Sequence, residues 1–418
     1  MSASAGFAVQ GLSFAAVIAQ VPAFRDKYHM DDTQLTLTLA VLPIIAGVGS
    51  VLAGVLAPRI GSAWVLRVAT ATEAVLVAVI GAVDQVVAYY VVVCVFGMLI
   101  GAVDASMNMQ GTAVQRRYGR SILASCHAWW SVAGIAAAAG AIWFADHGVT
   151  LAAALAAAGA AGLVVALAGA PGLLSKAQEA EEPAAEAAAG LTQVHRVSHR
   201  ARVVTLVGIA LMVMFIGDSA ATSYGTVFME DALGTTGGLI RAGLFAYLSL
   251  QLVGRIVADR VIGARGATGT LVVGAVVATL GFAVVAVSGA WGVAVAGFAL
   301  MGLGLSVVVP LTFSAADGLD PAGSGAVIAR VNLFNYAGVI IGSAAIGVVG
   351  GIGGAGGEDY PHLRLAFAIP AILVLLITAL APAFRVVDRS RAAAHEAASA
   401  RAAHAVRPGP AVGAEPAG

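Results

Sequence analysis

The sequence predicts an all-α integral membrane protein of twelve transmembrane helices, arranged as two pseudo-symmetric six-helix bundles. Three observations carry this. Of the 418 residues, 60% are hydrophobic and 11% charged, and the mean hydropathy is +0.93. A water-soluble domain carries about 25% charged residues, so too little polar surface is present to cover a soluble core of this size. Apolar stretches of spanning length recur along the chain, and at roughly 20 residues per span plus short loops about twelve fit. The longest internal hydrophilic stretch, 172–202, divides them six and six.

The first six stretches lie near 3–23, 35–57, 64–83, 87–112, 122–145 and 150–171. The second six lie near 203–229, 238–258, 268–288, 291–315, 325–349 and 364–384. The first has the apolar length of a signal peptide, but no Lys or Arg precedes it and eleven spans follow, so it reads as a retained helix. Four units result: an N-terminal bundle (1–171), a linker (172–202), a C-terminal bundle (203–384) and a tail (385–418). The linker carries Gln178, Glu179, Glu181, Glu182 and Pro183 ahead of an alanine run and basic residues. It reads as a flexible or partly helical connection. The tail is rich in Ala, Arg, Pro and Gly and has no apolar stripe, the composition of a disordered segment.

Orientation follows from the distribution of Lys and Arg. Arg59 and Arg67 flank the loop after span two, and Arg116, Arg117 and Arg120 follow span four. Lys176, Arg196, Arg200 and Arg202 follow span six, Arg260 and Arg265 span eight, and Arg385, Arg389 and Arg391 span twelve. Acidic or mixed loops lie opposite, with Asp84, Asp146, Glu230, Asp231, Glu358 and Asp359. Both termini are therefore expected in the cytoplasm, with the chain multi-pass in a bacterial-type cell (inner) membrane.

The stretch from Gly97 to Arg120 combines an apolar helix, an acid and a basic turn. Gly97, Gly101, Asp104, Asn108 and Gly111 recur every three or four residues and share one face. An ionised carboxylate at the bilayer centre costs roughly 2.5–3.5 kcal/mol even on the lenient insertion scale, so that face is expected to meet other helices or a water-filled cavity. Such a face implies binding or movement of something polar. The structural reading of Asp104 is an acid paired with an arginine, and Asn108 reads equally as a helix–helix hydrogen bonder.

Asp218, near the middle of span seven, shares its face with Thr222 and Gly225. It reads as a cavity or proton-binding acid, or else as the partner of a buried base. His127 opens span five with Trp130 and Ser131 on its face. The imidazole titrates near neutral pH and the indole is a stacking surface, though both residue types also serve as anchors at span ends. Gln251, Arg255 and Asp259 recur every fourth residue on span eight. Arg255–Asp259 is an i,i+4 pair suited to a gate, whereas Gln251 lies deeper and is a cavity candidate. On span eleven Asn332, Asn335 and Tyr336 are further cavity candidates. Glu73 on span three reads as a buried structural acid with a nearby base for a partner. Cys94 and Cys126 read as apolar buried residues.

The two halves share an element. Gly54-Val55-Leu56-Ala57-Pro58-Arg59-Ile60-Gly61 follows span two, and Gly254-Arg255-Ile256-Val257-Ala258-Asp259-Arg260-Val261-Ile262-Gly263 follows span eight. Duplication of a six-helix transporter bundle leaves such a pattern. Both copies resemble the G-x-x-x-D-R-x-G-R/K loop motif of the major facilitator superfamily (MFS). The first departs from it at Pro58 and Ser62, and the second has one extra residue before Gly263. The resemblance implies the MFS fold and alternating access. It also implies that Arg59, Asp259 and Arg260 help hold the cytoplasmic side closed, a role that does not extend to Pro58.

A narrower resemblance rests on Asp104-Ala-Ser-Met-Asn108, on Val114-Gln-Arg-Arg-Tyr-Gly-Arg120 and on Ser125-Cys-His-Ala-Trp-Trp-Ser131. These are similar to the fucose-permease-like branch of the superfamily and its uncharacterised bacterial inner-membrane relatives. The branch resemblance implies substrate binding and proton coupling at Asp104, hence sugar–proton symport. Its sugar-transporting members also carry an acid on the first helix, where this chain has Gln10 and Gln20.

The expected function is secondary transport of a small polar solute such as a sugar, coupled to protons and carried out by a monomer in the lipid bilayer. A proton-driven exporter of drugs or metabolites and a transporter-derived sensor are the alternatives. A formal charge of zero gives no reason to expect nucleic acid. No Walker sequence, metal-ligand set or catalytic constellation is present, so no cofactor, metal or enzymatic activity is expected.

Overall fold

In a computed structural model of the chain, residues 1–179, 197–320, 323–351, 362–389 and 392 are described. Seven helices form the first half: α1 (Ser2–Ala19), α2 (Val21–Tyr28), α3 (Asp32–Ile60), α4 (Ser62–Ala82), α5 (Val86–Tyr118), α6 (Leu123–Asp146) and α7 (Leu151–Gly169). Six form the second: α8 (Val197–Val227), α9 (Ala242–Val287), α10 (Trp291–Leu305), α11 (Val308–Gly318), α12 (Ala326–Gly350) and α13 (Leu363–Leu380). No strand occurs among the described residues. The body is all-α, as expected for a backbone that must satisfy its hydrogen bonds internally within a bilayer.

Eleven helical stretches are long and apolar enough to cross a membrane, and one of them, Gly237–Val287, is 51 residues long. It makes two crossings, because Gly266 inside α9 has φ 78° and ψ 168°, a backbone geometry that glycine reaches without steric cost. The Asp388 carboxylate caps the helix that restarts there, accepting from Ala267 N at 2.6 Å, Thr268 N at 3.2 Å and Thr268 Oγ1 at 2.7 Å. The fold therefore has twelve crossings.

Several boundaries differ from those expected. The first crossing ends at Ala19 rather than running to 23; the chain turns at Gln20, and Pro22 sits in the first turn of the separate helix α2, where its missing N–H costs nothing. Span ten, expected as one helix over 291–315, is interrupted at Ser306–Val307. Pro310 lies four residues beyond Ser306, whose carbonyl it cannot bond and whose space its ring invades. Helix α8 begins at Val197, inside the stretch expected as linker. Residues 180–196 of that linker, and the tail beyond Arg389 apart from Ala392, lie outside the described residues. Residues 385–389, expected in the tail, continue helical.

Local signals fix several ends. A capping box starts α3, with the Asp31 carboxylate accepting from Gln34 N at 2.7 Å and Gln34 Oε1 accepting from Asp31 N at 3.2 Å. Gly119 ends α5 at φ 63°, just after Arg116 and Arg117. Below, the end of the molecule where α1 begins and α7 finishes is called the linker side, and the opposite end the far side.

The duplication is visible in the packing. Gly101 of α5 lies so close to the Ala46 carbonyl and Ser50 amide of α3 that a methyl group would strike them. Gly302 of α10 meets the Tyr247 carbonyl and Gln251 amide of α9 in the same way. All three positions recur in the second half at one constant offset. The outward faces are apolar, with Trp64, Val87, Val164, Ile372 and Leu375 exposed, as a lipid-facing surface requires.

Candidate functional site

Asp104 sits near the middle of α5 and is half-buried. Its Oδ1 accepts from Gln10 Nε2 of α1 at 2.8 Å, and its Oδ2 accepts from the Tyr336 hydroxyl of α12 at 2.7 Å. The second bond crosses from one half of the molecule to the other. Gln10 also reaches the Ile100 carbonyl at 3.3 Å. Asn332 Nδ2 donates to the Tyr336 hydroxyl at 3.3 Å and to Ser50 Oγ of α3 at 3.2 Å. Asn335 Nδ2 reaches Asn332 Oδ1 at 3.5 Å. The predicted residues Asp104, Asn332, Asn335 and Tyr336 thus share one network. Among the described residues Asp104 makes no ion pair; both of these donors are neutral.

Asn108 lies one turn closer to the linker side and is buried. Its Nδ2 donates to the Asp104 carbonyl at 2.8 Å, and its Oδ1 lies 3.2 Å from His127 Nε2. An amide oxygen only accepts, so Nε2 carries the imidazole proton. The His127 ring is packed edge-on against Phe7, centroids 4.7 Å apart, and stacks on Phe313 at 6.3 Å. Asn108 and His127 therefore form a buried support beneath Asp104.

The second acid, Asp218 on α8, is also half-buried. It accepts from the Tyr247 hydroxyl and, at 3.3 Å, from Gln251 Nε2, while Gln251 also donates to the Tyr247 hydroxyl at 3.0 Å. Thr222 bonds the Asp218 carbonyl at 2.8 Å rather than its carboxylate. Tyr247, Gln251, Arg255 and Asp259 follow at every fourth position of α9, so one face leads from Asp218 toward the linker side.

The expected Arg255–Asp259 pair is not formed. Each residue reaches the other half instead. Arg255 donates to Ser131 Oγ of α6 and lies 5.8 Å from the Trp130 ring, which packs against Phe14 at 6.3 Å. Asp259 accepts from Ser121 Oγ at 2.7 Å, Ala124 N at 3.3 Å, Ser125 N at 2.8 Å and Ser125 Oγ at 2.6 Å. These amides open α6, where the unpaired N–H groups and the helix dipole favour an anion. The i,i+4 spacing alone does not decide the partners: Asp259 finds the helix terminus and hydroxyls of α6 instead.

Further bridges close the linker side. Arg116 of α5 pairs with Asp317 of α11, and Gln115 Nε2 donates to Ser314 Oγ at 2.9 Å. Gln115 Oε1 accepts from the Ile122 and Leu123 amides at 3.1 and 3.2 Å. Within the second half, Arg200 lies 3.9 Å from Asp320. Arg59 and Arg260, the other two gate candidates, are exposed and make no ion pair among the described residues; only the Arg59 carbonyl is engaged, by Lys176 Nζ at 3.0 Å. Besides Arg255, Arg116 bridges the halves, and it is visible in the sequence only as part of a basic turn. Beside it the linker stump docks: the Glu179 carboxylate accepts from Ser62 Oγ at 2.6 Å and from Gln110 Nε2. Burial pushes the Glu179 carboxyl above its ordinary value despite those bonds.

The family model of the Major Facilitator Superfamily matches residues 3–343. The chain belongs to this superfamily. It is 26% identical over 395 residues to an uncharacterised transporter, y4wD, of Sinorhizobium fredii (strain NBRC 101917 / NGR234), covering 91% of this chain and 97% of that one. It is likewise 26% identical over 391 residues to an uncharacterised MFS-type transporter of Yersinia pestis, covering 92% and 95%. Among solved structures it is similar to the MFS transporter FucP in the outward conformation, with a TM-score of 0.74 at 14% identity over 91% of this chain and 97% of that one. The human organic anion transporter MFSD10 gives 0.71 at 14% identity, over 91% and 98%. At such identities the likeness to solved structures is one of fold. The MFS fold supports secondary transport of a small solute across a membrane.

Proposed function

We propose that this MFS protein carries a small polar solute, a sugar or related metabolite, in symport with protons. The observation that supports it is Asp104: a carboxylate at mid-bundle, bonded by two neutral donors, one of which belongs to the opposite half. Hydrogen bonds to an ionised acceptor are roughly twice as strong as neutral ones. Proton uptake by Asp104 weakens the bond from Tyr336 and loosens the halves where they meet, so protonation and reorientation are coupled. Asn332, Asn335, Gln251 and Trp130 supply hydrogen-bonding and stacking groups for a hydroxylated solute, and Asp218 is a second acid for proton binding.

The excess of Lys and Arg on the linker side makes that side cytoplasmic in this reading, with both termini inside and the chain a monomer in the inner membrane. The bridges through Asp259 and Arg116 then describe a carrier shut toward the cytoplasm. An exporter of drugs or metabolites is the second reading, favoured by the aromatic surface of Trp130 and Phe14 beside Arg255.

The test is reconstitution in lightly buffered liposomes with lumen pH recorded on addition of sugars, sugar acids or cationic drugs. Acidification driven by a sugar, and lost in Asp104→Asn, supports symport. Proton movement with drugs alone supports export, and an unchanged response in both Asp104→Asn and Asp218→Asn removes the coupling assignment.

A further inference from the structure

Glu73 lies on α4 with no exposed surface, and neither carboxyl oxygen has a hydrogen-bond partner among the described residues. The base that the sequence reading expected beside it is absent among them. Of the other buried polar atoms without a hydrogen-bond partner, two lie on α1, Gln10 Oε1 and Ser13 Oγ. The packing brings these together. Gly6 of α1 faces Leu66 of α4 and Met107 of α5, so α1 and α4 run in parallel beside α5. Two turns further along, Gly162 of α7 lies against both Ser13 and Ala74, the neighbour of Glu73. Gln10 in turn holds Asp104 and the Ile100 carbonyl. Glu73 is within electrostatic reach of Asp104.

The surrounding charge is sparse. Helices α1 and α7 contain no titratable side chain. On α3 the charged residues lie at the two ends, Asp32 and Arg59. On α4 itself Arg67 is turned away, donating to the Ala170 carbonyl at 2.9 Å and lying 5.5 Å from the Trp64 ring. Asp104 is the acid of α5 that faces this region, and Tyr336 of α12, which holds Asp104, is the other titratable group. A carboxylate without donors or a countercharge is far more costly to bury than a neutral acid. A neutral acid also brings the hydroxyl donor that Gln10 Oε1 and Ser13 Oγ lack.

We infer that Glu73 is a second proton-binding site behind Asp104, and that the two carboxyls share one proton. In the conformation described, Glu73 holds it and Asp104 is the carboxylate bound by Gln10 and Tyr336. When Asp104 is protonated from this store, the O–H bond at Glu73 breaks and one forms at Asp104. The pair keeps a net charge of minus one, and the unpartnered Gln10 Oε1 and Ser13 Oγ of α1, with Gln10 itself bonded to Asp104, are the nearby hydrogen-bonding groups. The inference rests on the reading of Asp104 as a coupling acid.

Infrared difference spectroscopy of the reconstituted full chain across pH, without any substrate, tests it. Wild type is expected to keep a protonated-carboxyl stretch at neutral pH that disappears in Glu73→Gln. The pH at which this band is lost should move in Asp104→Asn, a readout that remains if Glu73→Gln fails to fold. Absence of a neutral-carboxyl band at neutral pH overturns the inference, as does its survival in folded Glu73→Gln or a titration that ignores Asp104→Asn. Failure of the liposome assay removes the transport role of Asp104 but leaves this band in place, so the two failures are distinguishable.

Discussion

The Tyr336 hydroxyl donates to the Asp104 carboxylate at 2.7 Å, joining α12 of one half to α5 of the other. The tie is conditional on charge: it is charge-assisted when Asp104 is ionised and ordinary when it is not. Tyr336→Phe removes the donor and keeps the ring. A hydrogen bond to a charged group contributes about 1.5–3 kcal/mol, so the balance between conformers should shift roughly ten- to a hundredfold toward separated halves. Distance distributions between spin labels on α5 and α12, measured in wild type and Tyr336→Phe, would show the longer population growing. An unchanged distribution would mean the bond does not hold the halves.

The linker-side closure is expected to depend on Asp259 and Arg116 and to be indifferent to Arg59. Asp259→Asn keeps the size of the side chain but removes the charge that faces the first amides of α6. Labels at Arg117 and Arg260, both exposed, report the gap directly. The distance should lengthen in Asp259→Asn and in Asp317→Asn, and remain at the wild-type value in Arg59→Ala. Lengthening in Arg59→Ala would return the gate to the loop motif as its sequence suggests.

The legible parts of this molecule are those written locally. Apolar runs marked the crossings, and a lone carboxylate in such a run marked Asp104 and Asp218, because the cost of burying charge is independent of topology. Partners supplied by distant helices were not legible. Gln10 reads as an ordinary buried amide until α1 packs on α5, and Tyr247 as one more apolar residue until α9 packs on α8. Arg116 and Asp317 sit near the ends of two helices far apart in sequence, α5 and α11. The i,i+4 rule placed Arg255 and Asp259 on one face correctly, yet that face meets the other half, whose helix terminus and hydroxyls are better partners. The break before Pro310 was signalled by the proline itself, but an unbroken hydropathy profile hid it.

The glycine pair that expresses the duplication should be intolerant of even a methyl group. Gly101→Ala and Gly302→Ala each drive a Cβ into a backbone carbonyl, and overpacking of this kind costs about 1–3 kcal/mol. Gly140 of α6 has open space around it, so Gly140→Ala should be neutral or gain up to about 1 kcal/mol of helix propensity. Thermal unfolding in detergent should order the variants with Gly140→Ala at or above wild type and the other two below it. Equal midpoints for all three would show that the helices part to admit the methyl group.

Docking of the linker stump should strengthen as pH falls. The Glu179 carboxyl is raised above its ordinary 4.5 because burial outweighs the bonds from Ser62 and Gln110 and the nearby Arg116 charge. The docked segment therefore keeps its proton to higher pH than the released one. Between 4.5 and the raised value the docked state binds more protons, so its stability falls as pH rises through that window and is complete below it. A spin label at Gln178, which is exposed, should become more mobile with rising pH in wild type. In Glu179→Gln, which mimics the neutral acid and keeps an acceptor for Ser62, the label should stay immobile across the range. Mobility that instead rises on acidification would mean that the carboxylate, held by Ser62, Gln110 and Arg116, is the form that docks.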